Sequence, residues 1–282
     1  MRILRYLVPI VGLVALAVAA PAVATAPPVH YYVALGDSLS VGYQPAHPGQ
    51  ATNADTDQGY TDDLFATLHA KDPGLVLVKL GCSGETTGTM INGGICTYPA
   101  GSQLKAAEAF LKANGTAVKY VTIDIGANDV DSCAPGGSID AGCIVKGLGT
   151  IGTNLQTIMS GLYAADGGKP QSVGMSYYDP FLEFYLTGTE GRAVAAASVG
   201  LLAALNSELA LEFSAYGFKS ADVSNTFKSG NFGQVQNDPP YGKLPINVRN
   251  ICDYTYMCSL QNIHATPAGY QLIADTFAKQ FH

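Results

Sequence analysis

Tyr31-Tyr32-Val33-Ala34-Leu35-Gly36-Asp37-Ser38-Leu39-Ser40 is a short apolar run that breaks at a glycine into small polar residues. By length and β-rich composition, Tyr31 to Leu35 reads as a buried parallel strand, and Gly36-Asp37-Ser38 as the turn at its carboxyl end. The same grammar recurs twice. Leu75 to Leu80 runs into Gly81-Cys82-Ser83-Gly84, and Tyr120 to Ile125 runs into Gly126-Ala127-Asn128-Asp129. Ser172 to Ser176 and Ser220 to Val223 are weaker fourth and fifth strands. Helical patterns separate the strands, over about 60–71, 102–113, 144–165 and 191–216, with a last helix at about 266–281. Thr266 and Pro267 give that helix an N-cap and a first-position start. Strands alternating with helices predict an α/β fold with a mainly parallel sheet.

In such sheets ligands bind outside the carboxyl ends of the strands, so the three polar turns open on one rim. Acyl transfer without a metal needs a nucleophile, a base and donors for an oxyanion. The turns supply a hydroxyl (Ser38), a backbone N–H unobstructed by a side chain (Gly84) and a side-chain amide (Asn128). Of the five histidines, His30, His47, His69, His264 and His282, the one placed to serve as base is His264. It lies in an irregular stretch just before the last helix.

Gly36-Asp37-Ser38-Leu39-Ser40, Gly84, Gly126-Ala127-Asn128-Asp129 and His264, each behind its predicted element and in this order, resemble the SGNH (GDSL-type) hydrolases. A chance Gly-Asp-Ser-Leu tetrapeptide would occur in roughly one chain per hundred at ordinary residue frequencies. The resemblance spans essentially the whole mature chain. It implies a three-layer α/β/α sandwich with a mainly parallel five-stranded sheet, and an esterase or lipase working through an acyl–Ser38 intermediate with no cofactor. Ser38 is then the nucleophile, with its own N–H, the Gly84 N–H and the Asn128 amide forming the oxyanion hole, and His264 is the base. One position departs from the family pattern. An Asp three residues before the histidine usually orients its ring, and here that position is Gln261. The Gln261 backbone carbonyl is expected to take this role, with Asp253 as the second candidate. Asp37 and Asp129 read as structural, bonding loop amides.

The net charge of -7, with no Lys/Arg cluster, excludes a nucleic-acid partner. Charged residues make up 13% and hydrophobic ones 48% of the chain, a globular composition. Met1 to about Ala24 reads as a secretory signal peptide, with Arg2 and Arg5 before an apolar run and cleavage at Ala24 or as late as Ala26. Residues 25–282 then form a single domain, expected to be secreted, monomeric and without a stable membrane span. Six cysteines behind a signal peptide imply three disulfides. Fifteen connectivities are open, and the grouping favours Cys82–Cys96, Cys133–Cys143 and Cys252–Cys258. The absence of any CxxC or neighbouring histidine argues against zinc, and no metal site is expected.

Three decoys are set aside. Ala196-Ala197-Ser198-Val199-Gly200 resembles a nucleophile elbow but lies inside an Ala/Leu-rich helical pattern with no strand before it. Ala193 to Leu211, broken by Asn206 and Glu208, reads as a packing helix rather than a membrane span. Asn53-Ala54-Asp55-Thr56-Asp57 alternates oxygen ligands, but its glycine spacing is wrong for an EF-hand. The resemblance implies an ester substrate, of a small molecule, lipid or glycan. The acyl pocket is expected from about 43–60, 178–192 and 225–250, with Gly230 to Tyr241 as a rim or lid. The alternative function is a non-catalytic carbohydrate-binding or cell-surface interaction protein on the same fold.

Overall fold

The computed structural model describes residues 28–135 and 138–282, so the expected signal peptide lies outside the described residues. Five strands, β1 (His30–Gly36), β2 (Leu75–Lys79), β3 (Val118–Asp124), β4 (Gln171–Met175) and β5 (Lys219–Ala221), form one sheet in the order β2-β1-β3-β4-β5. Every neighbouring pair is parallel. A two-stranded antiparallel hairpin, β6 (Val235–Asp238) with β7 (Gly242–Pro245), stands apart from it. The helices are α1 (Tyr60–His69), α2 (Thr87–Asn92), α3 (Gln103–Asn114), α4 (Asn128–Asp131), α5 (Ala141–Asp166), α6 (Thr189–Ala215), α7 (Val223–Thr226), α8 (Ile246–Tyr254), α9 (Met257–Leu260) and α10 (Pro267–Ala278).

Parallel strands covered on both faces must be apolar throughout, and Tyr32, Val33, Ala34, Val121 and Ile123 are fully buried. Two helix groups flank the sheet. In one, α1 packs on α10, with the Tyr60 and Phe277 rings stacked 4.7 Å apart; the other comprises α3, α5 and α6. This is the α/β/α sandwich that the resemblance implied, built on the parallel sheet predicted from the strand–helix alternation. Because β1 and β3 are central neighbours, chain crossovers leave from them in opposite directions along the sheet. The crevice at such a reversal, outside the strands' carboxyl ends, is where doubly wound sheets bind ligands. Ser38 follows β1 and Asn128 follows β3, so both lie at that point.

Local chemistry explains where the elements depart from the predicted bounds. The Asp140 side chain accepts the Cys143 N–H, starting α5 three residues earlier than the apolar pattern indicated. Asp222 accepts the Asn225 N–H and starts α7, so β5 stops at Ala221 instead of Val223. The Thr266 cap holds as read, accepting the Gly269 N–H at 3.2 Å. The hairpin and α8 carried no legible periodic signal. The long α6 is apolar enough in length and composition to cross a membrane, with mean hydropathy 1.6 over its window. In the fold it packs on α5, β4 and β5, burying Leu205, Leu209 and Phe213.

All three disulfides join the nearest-neighbour pairs, Cys82–Cys96, Cys133–Cys143 and Cys252–Cys258. They tie down the segments just after β2, just after α4 and between α8 and α9. A closed loop of about 15 residues removes about 3 kcal/mol of chain entropy from the unfolded state.

Candidate active site

The turn after β1 is built around one glycine and two buried acids. Gly36 has φ +138°, and a Cβ there would lie 2.3 Å from the Asp124 carbonyl oxygen, so no larger residue fits. Gln103 of α3 accepts the Gly36 N–H at 2.7 Å and donates to the Gly36 carbonyl at 3.0 Å. Its amide also donates to Glu85 at 2.9 Å, joining the β1 turn to the β2 turn. Asp37 accepts the Leu39 N–H at 2.9 Å, shaping the turn that carries Ser38. That is the structural role its sequence position indicated.

Asp37 has a second partner that the sequence did not announce. Asp124, at the end of β3 and fully buried, accepts the Asp37 N–H at 3.3 Å and the Tyr60 hydroxyl at 2.5 Å. Burial pushes both carboxyls up, and the Asp37 charge alongside holds Asp124 higher still. Neighbouring carboxylates in a low-dielectric interior resist ionising together, so Asp124 holds its proton to higher pH than an ordinary carboxylate.

The turns after β2 and β3 are sewn together. Asn128 donates to the Glu85 carbonyl at 2.9 Å. Asp129 accepts the Thr87 N–H at 2.8 Å and the Thr87 hydroxyl at 2.6 Å, again the backbone-bonding role read from sequence. Gly84 has φ +81° and open space where a side chain would stand. Among the described residues, neither the Ser38 nor the Gly84 N–H has a hydrogen-bond partner.

His264 arrives from the segment between α9 and α10, and its Nε2 lies 2.8 Å from Ser38 Oγ. The expected orienters do not hold it. Its Nδ1 lies 2.8 Å from the side-chain Oδ1 of Asn262, in place of the Gln261 carbonyl. Gln261 is drawn into a left-handed turn at φ 50° that ends α9, its N–H bonded to the Met257 carbonyl, and this turn brings Asn262 under the ring. Asp253 sits one helix away in α8 and pairs with Arg249 at 3.1 Å. Asn262 could have been found from its own chemistry, since Asn side chains readily bond backbone two residues on; here Oδ1 also accepts the His264 N–H at 3.1 Å. With Nδ1 donating to Asn262, Nε2 is left as the acceptor facing the Ser38 hydroxyl. Tyr43 lies over the imidazole, ring centroids 4.2 Å apart, and burial pushes the histidine down to about 4.

Ser38, His264 and Asn128 line an apolar pocket. Its walls come from α4 and α5 (Val130, Ile144, Leu148), from α6 (Leu201, Leu202) and from the stretch Tyr177–Phe181 after β4. Of the three segments expected to shape it, only 178–192 contributes, through 178–181; residues 43–60 and 225–250, with the expected rim at 230–241, line none of it. The Ser198 of the decoy motif does line the pocket, but its hydroxyl donates to Asp179 at 2.8 Å from within α6. The oxygens of 53–57 are directed apart: Asn53 accepts the Ala46 N–H, Asp55 the Ser83 hydroxyl, and Asp57 faces Lys79. Among the described residues no cluster of three or more His, Cys, Asp or Glu could hold a metal ion.

No curated protein matches this sequence at a significant level. Among solved structures, an extracellular lipase from Streptomyces rimosus superposes with a TM-score of 0.55 at 20% identity, covering 89% of this chain and 100% of that one. Phospholipase A1 from Streptomyces albidoflavus NA297 gives 0.52 at 20% identity, covering 89% and 99%. A GDSL-like lipase from Parabacteroides merdae gives 0.56 at 13% identity, covering 91% and 97%. At these identities the likeness establishes the fold. The sequence itself matches the model of the GDSL-like lipase/acylhydrolase family over residues 34–272, most of its length, and the chain belongs to that family.

Proposed function

We propose that the protein is a secreted carboxylic-ester hydrolase that forms an acyl–Ser38 intermediate. The observation carrying this reading is the 2.8 Å contact between Ser38 Oγ and His264 Nε2 in the lining of an apolar pocket. Ser38 Oγ attacks the ester carbonyl carbon as its proton passes to Nε2. The carbonyl oxygen, now anionic, is met by the Ser38 and Gly84 N–H groups and the Asn128 amide. Collapse of this adduct expels the alcohol, which takes the proton back from Nε2. Water, deprotonated by the same nitrogen, then cleaves the acyl-enzyme and restores Ser38.

The apolar walls favour an aliphatic acyl group, since each methylene placed there gains about 0.8 kcal/mol. Secretion is supported by the leader-like N-terminus and by three disulfides, which persist in oxidising compartments. A fluorophosphonate probe tests the reaction class, because only an activated serine is labelled. Stoichiometric labelling lost in Ser38→Ala, with hydrolysis of aliphatic esters, is the expected result. A wild-type protein that neither labels nor hydrolyses esters would be a non-catalytic binding protein on the same fold.

A further inference from the structure

The sequence after β4, Ser176-Tyr177-Tyr178-Asp179-Pro180, supplies a wall of the pocket but no part of the catalytic machinery described above. In the fold its adjacent tyrosines, both buried, reach the two separate segments whose meeting makes the site. The Tyr177 hydroxyl donates to Asp37 at 2.7 Å, the residue before the nucleophile. The Tyr178 hydroxyl donates to the Ile263 carbonyl at 2.6 Å, the residue before the base. We propose that Tyr177 and Tyr178 are positioning residues that set the spacing of Ser38 and His264, an inference that rests on the hydrolase reading of this site.

The root of the two phenols is itself held firmly. Asn206 of α6 accepts the Tyr177 N–H at 2.8 Å and donates to its carbonyl at 2.9 Å, bracketing the peptide from both sides. The Tyr178 ring stacks on Phe227, centroids 4.6 Å apart. Asp179 accepts the Ser198 hydroxyl at 2.8 Å and the Phe181 N–H at 3.0 Å, fastening the run to α6 a second time. One short stretch anchored on α6 thus reaches two turns that lie 226 residues apart in sequence. Buried phenols need hydrogen-bond partners, and phenylalanine would fill the same volume without the hydroxyl bond. Phenylalanine therefore separates the bond from the packing. Both rings also line the apolar pocket, so the element that spaces the catalytic pair is in contact with the place proposed for the acyl chain.

Tyr178→Phe and Tyr177→Phe, made singly in the full chain, are compared with wild type by fluorophosphonate labelling rate, by kcat and KM on an aliphatic ester, and by melting temperature. The pocket wall is kept, so KM should stay within about twofold. The labelling rate and kcat should fall about ten- to hundredfold, the effect of a displacement of up to about 1 Å at a reacting pair. The melting temperature should drop by only a few degrees, the size of one lost hydrogen bond. Wild-type labelling with unchanged labelling and kcat in both variants overturns the positioning role alone. So does a loss that merely tracks the fraction unfolded. A wild-type protein that does not label overturns the hydrolase reading and this inference with it.

Discussion

Asn262 Oδ1 lies 2.8 Å from His264 Nδ1, in the place where the family usually presents a carboxylate one residue earlier in the chain. A neutral amide oxygen fixes the tautomer and direction of the ring as a carboxylate does, but it carries no charge to stabilise the imidazolium. The shift of one residue is made possible by Gln261, whose left-handed turn absorbs the register change.

The orienting role of Asn262 is tested by replacing it. Asn262→Ala should lower kcat/KM by about 10²-fold, the lower end of what a positioned base contributes. Gln261→Ala and Asp253→Asn should stay within about twofold, since neither side chain meets the ring. Asn262→Asp should match or exceed wild type if the carboxylate keeps the contact. Steady-state kinetics of the four variants decide this, and an unaffected Asn262→Ala would return the role to the backbone.

The acid limb of the pH profile should lie low. Burial holds the folded-state histidine at about 4, so Nε2 remains an acceptor through the mildly acidic range and kcat/KM should stay near its plateau down to about one unit above that value. Linkage runs in the same direction. The folded imidazole stays neutral while the unfolded one takes a proton below about 6.5, so stability is full above that pH and declines as pH falls toward 4. Asn262→Asp should move the acid limb upward. A limb centred at the ordinary histidine value in wild type would show that the ring is not desolvated.

The carboxyl pair beneath the nucleophile turn should be visible in stability. Asp124 holds its proton to higher pH when folded than when unfolded, so its contribution is greatest below the ordinary carboxylate range and is lost as pH rises through the raised folded value. Asp124→Asn presents a neutral amide at every pH and removes that slope, up to about 1.4 kcal/mol per pH unit. The variant should gain stability relative to wild type as pH rises above the ordinary carboxylate range, read by denaturant unfolding at each pH. Parallel stability curves for the two proteins would mean that the pair holds no extra proton.

The oxyanion donors should separate from the nucleophile in size of effect. Ser38→Ala should remove detectable turnover with the fold intact. Asn128→Ala should leave weak activity, because one donor is worth about 2.7–4 kcal/mol, or 10²–10³ in rate. Its Glu85 contact is also lost, so melting temperature must be measured alongside. A loss under threefold would assign Asn128 to the loop contact alone.

Chain-length preference should follow the pocket walls. Leu148→Trp or Leu202→Trp fills the space between α5 and α6, and should lower kcat/KM for decanoyl esters by about tenfold or more relative to acetyl esters. Equal losses on both esters would place the acyl chain elsewhere.

The sequence by itself determined the sheet, the rim on which the chemistry sits, and the residues Ser38, Gly84, Asn128 and His264 that stand there. The sheet, Ser38, Gly84 and Asn128 were legible because each depends on a local pattern: an apolar run long enough for one buried strand, a break at glycine, a polar turn; His264 was legible from its place just before the capped last helix. The disulfides were legible for the same reason, since their partners are 6 to 14 residues apart. Tertiary structure alone decided what surrounds those residues. The Asp37–Asp124 pairing depends on a contact spanning 87 residues, and the tyrosine contacts on spans of 140 and 85. The pocket is walled by helices whose inward faces read from sequence simply as core. Asn262 replaced Gln261 through a single left-handed turn, which no periodicity encodes. Periodicity reports which face of an element is buried; it does not report which element covers that face, and the partners of the site are set by that covering.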